Sequence, residues 1–266
     1  MNRLFLTLFF LLLAKPPLYA ENGSETLYSV DLHGGIGYGI YRDLGASPLT
    51  YRGLQLHPGI SFVVQKPDMR YEAILQTAAG AYGLKMGVNY IQAYGGHPLL
   101  GFRVWRKHLL TDHFNLWYGG SVDDLFDTRY NRSLGNACVG FGNFLRFNIE
   151  GCVTYSLRNW LFHAGLQLNA FSLNMRPGFA YMDNYDQNIA SSTANTFDQY
   201  HAYPAAATGA TTDMGLSLKL AGGNRVGLSY RWSYLSSRTT ADGRTAPHLF
   251  QTADHALLFH LGFRIN

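Results

Sequence analysis

The chain of 266 residues carries ten histidines, 17 acidic side chains and two cysteines, and any chemistry it performs is drawn largely from these. A serine hydrolase built on a His-x-Ser element is the simplest to test. None of the ten histidines is followed two residues later by Ser: His33 precedes Gly34-Gly35, His163 precedes Ala164-Gly165 and His260 precedes Leu261-Gly262. The nucleophile arrangement of such an enzyme is therefore missing. Hydrolysis by paired aspartates with a His–Asp couple has residues of the right type in Asp123, Asp124, Asp213 and His201. His33, His163 and His260 are metal-binding types, but they form no local ligand motif. No zinc spacing, Walker pattern or Gly-rich phosphate loop occurs, so neither a metal nor a cofactor is expected. Cys138 and Cys152 lie fourteen residues apart. That is roughly 45 Å along an extended strand at about 3.3 Å per residue, beyond bridging distance unless residues 126–143 fold back. By parity Cys152 points inward as a small buried side chain.

Charged residues make up only 14% of the chain, aromatic residues 15%, and there are 29 glycines. A typical soluble domain carries about 25% charge, so the balance argues against disorder and against a helical bundle. Residues 1–20 read as a cleavable signal peptide: Arg3 is the basic start, Leu4 to Ala14 the apolar run, and Lys15-Pro16-Pro17 breaks it before Leu18-Tyr19-Ala20. Residues 21–266 then form one domain. Without Arg3 and Lys15, 19 basic residues face 17 acidic ones, too even a balance to imply nucleic acid. No internal run approaches the roughly 20 apolar residues of a membrane helix.

Strict alternation organises the rest. Thr212, Met214, Leu216, Leu218 and Leu220 alternate with Asp213, Gly215, Ser217 and Lys219; beyond Ala221-Gly222-Gly223-Asn224, the residues Val226, Leu228, Tyr230 and Trp232 alternate with Arg225, Gly227, Ser229 and Arg231. Two such runs around a Gly-Gly turn predict a hairpin. The same pattern marks Val30 to Ile40 (Leu32, Ile36 and Tyr38 outward), Leu54 to Val64, Tyr71 to Thr77, Phe114 to Val122, Leu145 to Leu157, Phe162 to Ala170 and Leu257 to Ile265. Leu84 to Arg106 keeps one parity and counts as a strand disturbed by Gly95-Gly96-His97-Pro98. His57-Pro58-Gly59 predicts a bulge in the second strand, because Pro donates no ladder bond. The scarcity of charge puts the apolar face toward lipid. The expectation is an all-β chain, a single closed antiparallel transmembrane barrel of about ten strands.

The connections agree with that count. Joins at Gln65 to Met69, Lys107 to Asp112, Arg158-Asn159 and Ala221 to Asn224 are short and fall on one side; the joins Phe126 to Asn143, Asn174 to Ala210 and Ser236 to Asp254 fall on the other. Short periplasmic turns with longer extracellular loops are the pattern of outer-membrane barrels. The signal peptide, the even strand count and a last strand with Gly262 and outward Phe259 and Phe263 together resemble the small outer-membrane β-barrels of Gram-negative bacteria; the chain departs from them by ending in Ile265-Asn266. That resemblance implies outer-membrane lipid and lipopolysaccharide as surroundings and the barrel-assembly machinery as a partner. Ten is also the strand number of the omptin proteases, which use paired Asp and a His–Asp couple at the outer rim, but their motifs are not matched here. The expected role is that of a non-enzymatic barrel with a side-chain-filled lumen that anchors, binds or supports the envelope; a surface hydrolase, omptin-like or lipid-cleaving, with residues at the extracellular rim is the first alternative and a narrow channel the second.

Register predicts which inward charges meet: Asp213 beside Arg231, Lys219 beside Arg225, Glu72 across from Arg103, Asp123 across from Arg146, Arg264 near Asp31, and His260 near His33. Buried charge must be paired, so this set reads as a salt-bridge network filling the lumen. A lumen lined by Trp105, Trp117, Arg231 and His163 is expected to hold little water. Tyr181, Tyr185, Tyr200 and Tyr203, set among Asp183, Asp186 and Asp198, are candidates for binding a glycan or protein, or for packing as a lid.

Overall fold

The alternating runs become antiparallel strands. A computed structural model describes residues 26–43, 47–86, 89–111, 113–131, 139–177, 200–205, 208–238 and 249–265. Residues 1–20, expected to be a signal peptide, and Cys138, Tyr181 and Tyr185 lie outside these. In chain order the strands are β1 (Leu27–Asp43), β2 (Ser47–Leu56), β3 (Gly59–Gln65), β4 (Met69–Gln76), β5 (Ala79–Met86), β6 (Asn89–Gly96), β7 (Leu99–Leu109), β8 (Phe114–Asn131), β9 (Val139–Leu157), β10 (Trp160–Pro177), β11 (Tyr200–Ala205), β12 (Thr208–Lys219), β13 (Arg225–Arg238) and β14 (Leu249–Ile265). β2 with β3, β4 with β5 and β6 with β7 are each one span with a two-residue interruption, and β11 and β12 both pair with β10 as one span, which leaves ten spans among the described residues.

Each span pairs with its neighbours in the chain, and β1 pairs with β14 on one side and with β2 and β3 on the other, so the sheet closes. One row of partners runs from Phe141 on β9 through Thr128, Gly96, Ala79, Leu56, Ile36, Leu257, Tyr230, Met214 and Ala164 back to Val153 on β9, twelve residues further along. Such a stagger is what tilts barrel strands by about 35–45° to the axis.

The interruptions within the second, third and fourth spans leave the register intact, whereas the pairing with β10 shifts by one residue between β11 and β12. His33 pairs with Gly59 and Ile36 with Leu56, so no residue is inserted at Pro58. The bulge expected at His57-Pro58-Gly59 is thus not formed. The ladder instead bridges the proline on its acceptor side: the Pro58 carbonyl accepts from Thr77 N at 3.0 Å, and His57 N donates to Gly35 O at 3.0 Å. Leu84 also moves. Leu84 to Met86 end β5, opposite Ile91 to Asn89 of β6, so the strand that begins at Leu84 by parity is two antiparallel strands.

Several strands run further toward the loop end than alternation suggests. β8 continues nine residues past Val122, and β14 begins eight residues before Leu257. Spans of 17 to 19 residues are roughly 60 Å long at about 3.3 Å per residue, or about 45 Å high after tilting. The apolar band of such barrels is about 25 Å tall. Where a strand leaves that band its outer face need not be apolar, and the period-two signal fades.

The exterior is apolar. Leu32, Ile36, Leu54, Phe62, Leu100, Phe102, Ile149, Leu166, Met214, Leu228, Leu257 and Phe259 are all exposed, and outward aromatics such as Tyr28 and Phe62 stack on one another. Water makes such a surface costly, whereas lipid matches it. The fold is that of a transmembrane β-barrel of ten antiparallel spans.

Candidate functional site

The inward face divides into a packed half and a hollow half. Toward the loop end, Ile74, Leu99, Leu125, Phe144, Leu235 and Phe250 form a buried apolar cluster contributed by six different spans. Tyr41, Tyr51, Tyr82 and Ala93 form a second. Arg129 links the two clusters, its guanidinium 5.4 Å from the Tyr41 ring and 5.3 Å from the Phe250 ring. The same Arg129 reaches Asp43 at 2.6 Å and Asp127 at 2.7 Å. Asp127 is 3.1 Å from His97, which meets the Tyr82 hydroxyl at 3.2 Å. Gln55 donates to the other side of that hydroxyl. All of these side chains are buried.

Alternation in the sequence stops short of Asp127 and Arg129, leaving them in the join that begins at Phe126. A signal was present: outward Phe126 and Tyr130 keep the parity of Val122, which makes Asp127 and Arg129 inward.

Below this layer two cavities follow one another. The smaller, about 90 Å³, is lined by His57, His97, Gln76, Asp254 and Arg231 among others. The larger, about 240 Å³, extends toward the turn end and is lined by Asp31, Glu72, Arg103, Glu150, Asp213 and Arg225 among others. One water needs about 10–15 Å³ measured this way. Room for water therefore exists beside Arg231 and His163, contrary to the filled lumen that the strand number suggests. Arg231 stands between the two cavities, donating to Gln76 at 2.6 Å and to Asp213 at 3.2 Å.

The inward charges find partners by reach as well as by register. Asp213 contacts Arg231 and lies 2.6 Å from His163. Asp123, fully buried, accepts from Arg146 at 3.2 Å, Asn148 at 2.8 Å and Gln167 at 2.7 Å. Glu72 and Arg103 are register partners, yet Glu72 makes its ion pair with Arg70 at 3.3 Å and Arg103 lies 3.6 Å from Glu150. Lys219 and Arg225 are also register partners; two cations gain nothing from each other, and Arg225 reaches Asp31 at 3.3 Å instead. Arg264 is paired with Ser29, not with Asp31, and its side chain lies over Gly223 of the turn. The His33 and His260 rings are 5.7 Å apart.

Asp123, Asp124 and Asp213 do not meet at a rim. Asp124 faces outward and accepts from Asn143 at 2.6 Å, its neighbour Asp123 faces the lumen, and Asp213 lies in the turn-end half. The backbones of His201, Tyr200 and Tyr203 belong to β11. Sequence motifs also miss Ser229, whose hydroxyl is 2.8 Å from His260 Nε2. That pairing has the distance of a nucleophile and its base. Ser229 is only 2% exposed and is not part of either cavity wall, so no substrate carbonyl has access to it. Cys152 is a free thiol on the wall of the larger cavity. Among the described residues no group of three or more His, Cys, Asp or Glu is placed to hold a metal ion.

No family model matches the sequence, and no curated protein does. Solved structures do show likeness. The outer membrane protease OmpT of Escherichia coli is 6% identical, with 90% of this chain and 96% of that one covered and a TM-score of 0.47. The translocator domain of the autotransporter NalP from Neisseria meningitidis is 8% identical, covering 92% and 90%, with a TM-score of 0.46. Neisserial surface protein A is 8% identical, covering 88% and 97%, with a TM-score of 0.37.

Proposed function

We propose that this protein is a non-enzymatic barrel of the bacterial outer membrane, exported by a signal peptide spanning residues 1–20, which anchors or binds at the envelope and does not conduct. Outer-membrane lipid and lipopolysaccharide surround it, and the barrel-assembly machinery inserts it. The observation that carries the reading is the packed layer across the loop-end lumen, where the Phe144 and Phe250 rings stack at 5.1 Å and Arg129 is held between two carboxylates. Ten spans are also well below the sixteen of an open porin. The exposed apolar belt supports the membrane, and four tight turns at one end support the orientation with those turns in the periplasm.

Planar-bilayer recording of the purified full-length protein tests the reading. Silence is expected, and a stable conductance of porin size would overturn it.

A further inference from the structure

We propose that the larger cavity is a binding site for a small oxyanion-bearing solute, a phosphate or a carboxylate, held by Arg70, Arg103, Arg225 and Arg231. The proposal rests on the closed barrel alone, not on the lumen being plugged. The cavity, about 240 Å³, is large enough for such a solute.

The formal charge of its wall is balanced, since four arginines face Asp31, Glu72, Glu150 and Asp213. The placement is not. In three of the four ion pairs the arginine is the more exposed partner: Arg70 is 30% exposed against 8% for Glu72, Arg103 17% against 5% for Glu150, and Arg225 31% against 17% for Asp31. Only in the fourth pair is the carboxylate the more open partner, Asp213 at 24% against 17% for Arg231. His33, His163 and His260 add further ring nitrogens to the same wall.

The ion pairs of these four arginines are also long. Their contacts to carboxylates run from 3.2 to 3.6 Å, whereas Arg129 in the packed layer is held at 2.6 and 2.7 Å. Charge-assisted N–H···O bonds prefer about 2.7–2.9 Å. Arg103 meets Glu150 only through its Nε, at 3.6 Å, and the Arg70 Nε has no hydrogen-bond partner. Both guanidiniums lie near the Trp105 ring, at 5.1 and 5.8 Å, which limits how far they can swing away.

Arginine modification of the native protein in detergent tests this without any variant. Phenylglyoxal adducts are mapped by mass spectrometry with and without inorganic phosphate, with succinate as a second arm and potassium chloride at matched ionic strength as the control. Arg70, Arg103, Arg225 and Arg231 are expected to be protected at least tenfold by phosphate or succinate, while the exposed turn residue Arg158 is not. Protection by only one of the two names the solute class. No protection by either, or equal protection at Arg158 or by chloride, overturns the site. Bilayer recording reads the plug and this labelling reads the cavity, so the two proposals fail separately.

Discussion

Arg129 and Arg70 show how differently one residue type behaves at the two ends of the lumen. Arg129 is buried between Asp43 and Asp127, so Arg129→Ala removes the cation shared by two buried carboxylates; breaking such a pair costs about 3–5 kcal/mol. Arg70 is nearly a third exposed, and Glu72 keeps Arg103 as its register partner, so Arg70→Ala is expected to cost less than Arg129→Ala. The midpoint of heat-induced mobility change on unboiled gels checks both. Equal shifts would show that the packed layer holds no special share of the stability. The direction of the inward side chains was legible in the sequence through parity, because a strand has only two faces. Partners were less legible. Glu72 reaches Arg70 two residues along its own face, a choice of side-chain length over cross-strand register that pairing rules do not contain.

At the scale of strands, glycine explains a contact that register does not. Arg225 on β13 and Asp31 on β1 are separated by β14, and their bond passes over Gly262, where any Cβ would meet the Asp31 carboxylate and the Arg225 side chain. Gly262→Val is expected to break this pair and to lower the mobility-shift midpoint. Gly34→Ala has open space around the new methyl and is expected to leave it unchanged. A Gly262→Val protein with the wild-type midpoint would show that Arg225 and Asp31 do not depend on that gap. Strand existence was legible wherever lipid demands an apolar outer face. Strand ends toward the loops were not, since Asp123, Asp124 and Asp127 lie where β8 outlasts the apolar alternation.

For the whole molecule, the even count and the closure followed from four short turns on one side, but the packed layer did not follow from the same logic. An apolar-out, polar-in rule assigns inward positions to polar residues, and Leu125, Phe144, Leu235 and Phe250 reverse it at the loop end. That reversal turns half of a polar lumen into a small hydrophobic core. If this core is what closes the barrel, thinning it should open a path from the loop end to the cavities below. Phe144→Ala with Phe250→Ala removes a stacked pair from the layer. Losing two such side chains costs about 3–5 kcal/mol each when the site does not collapse, so heat-modifiable mobility must first show that the variant has folded. A folded double variant is expected to give a small, stable conductance in planar bilayers where the parent gives none, because the smaller cavity already lies beneath Leu99, Leu125 and Leu235. Arg231 then becomes the next constriction, and adding Arg231→Ala should enlarge that conductance. A folded double variant that stays silent would place the seal elsewhere than in the aromatic layer.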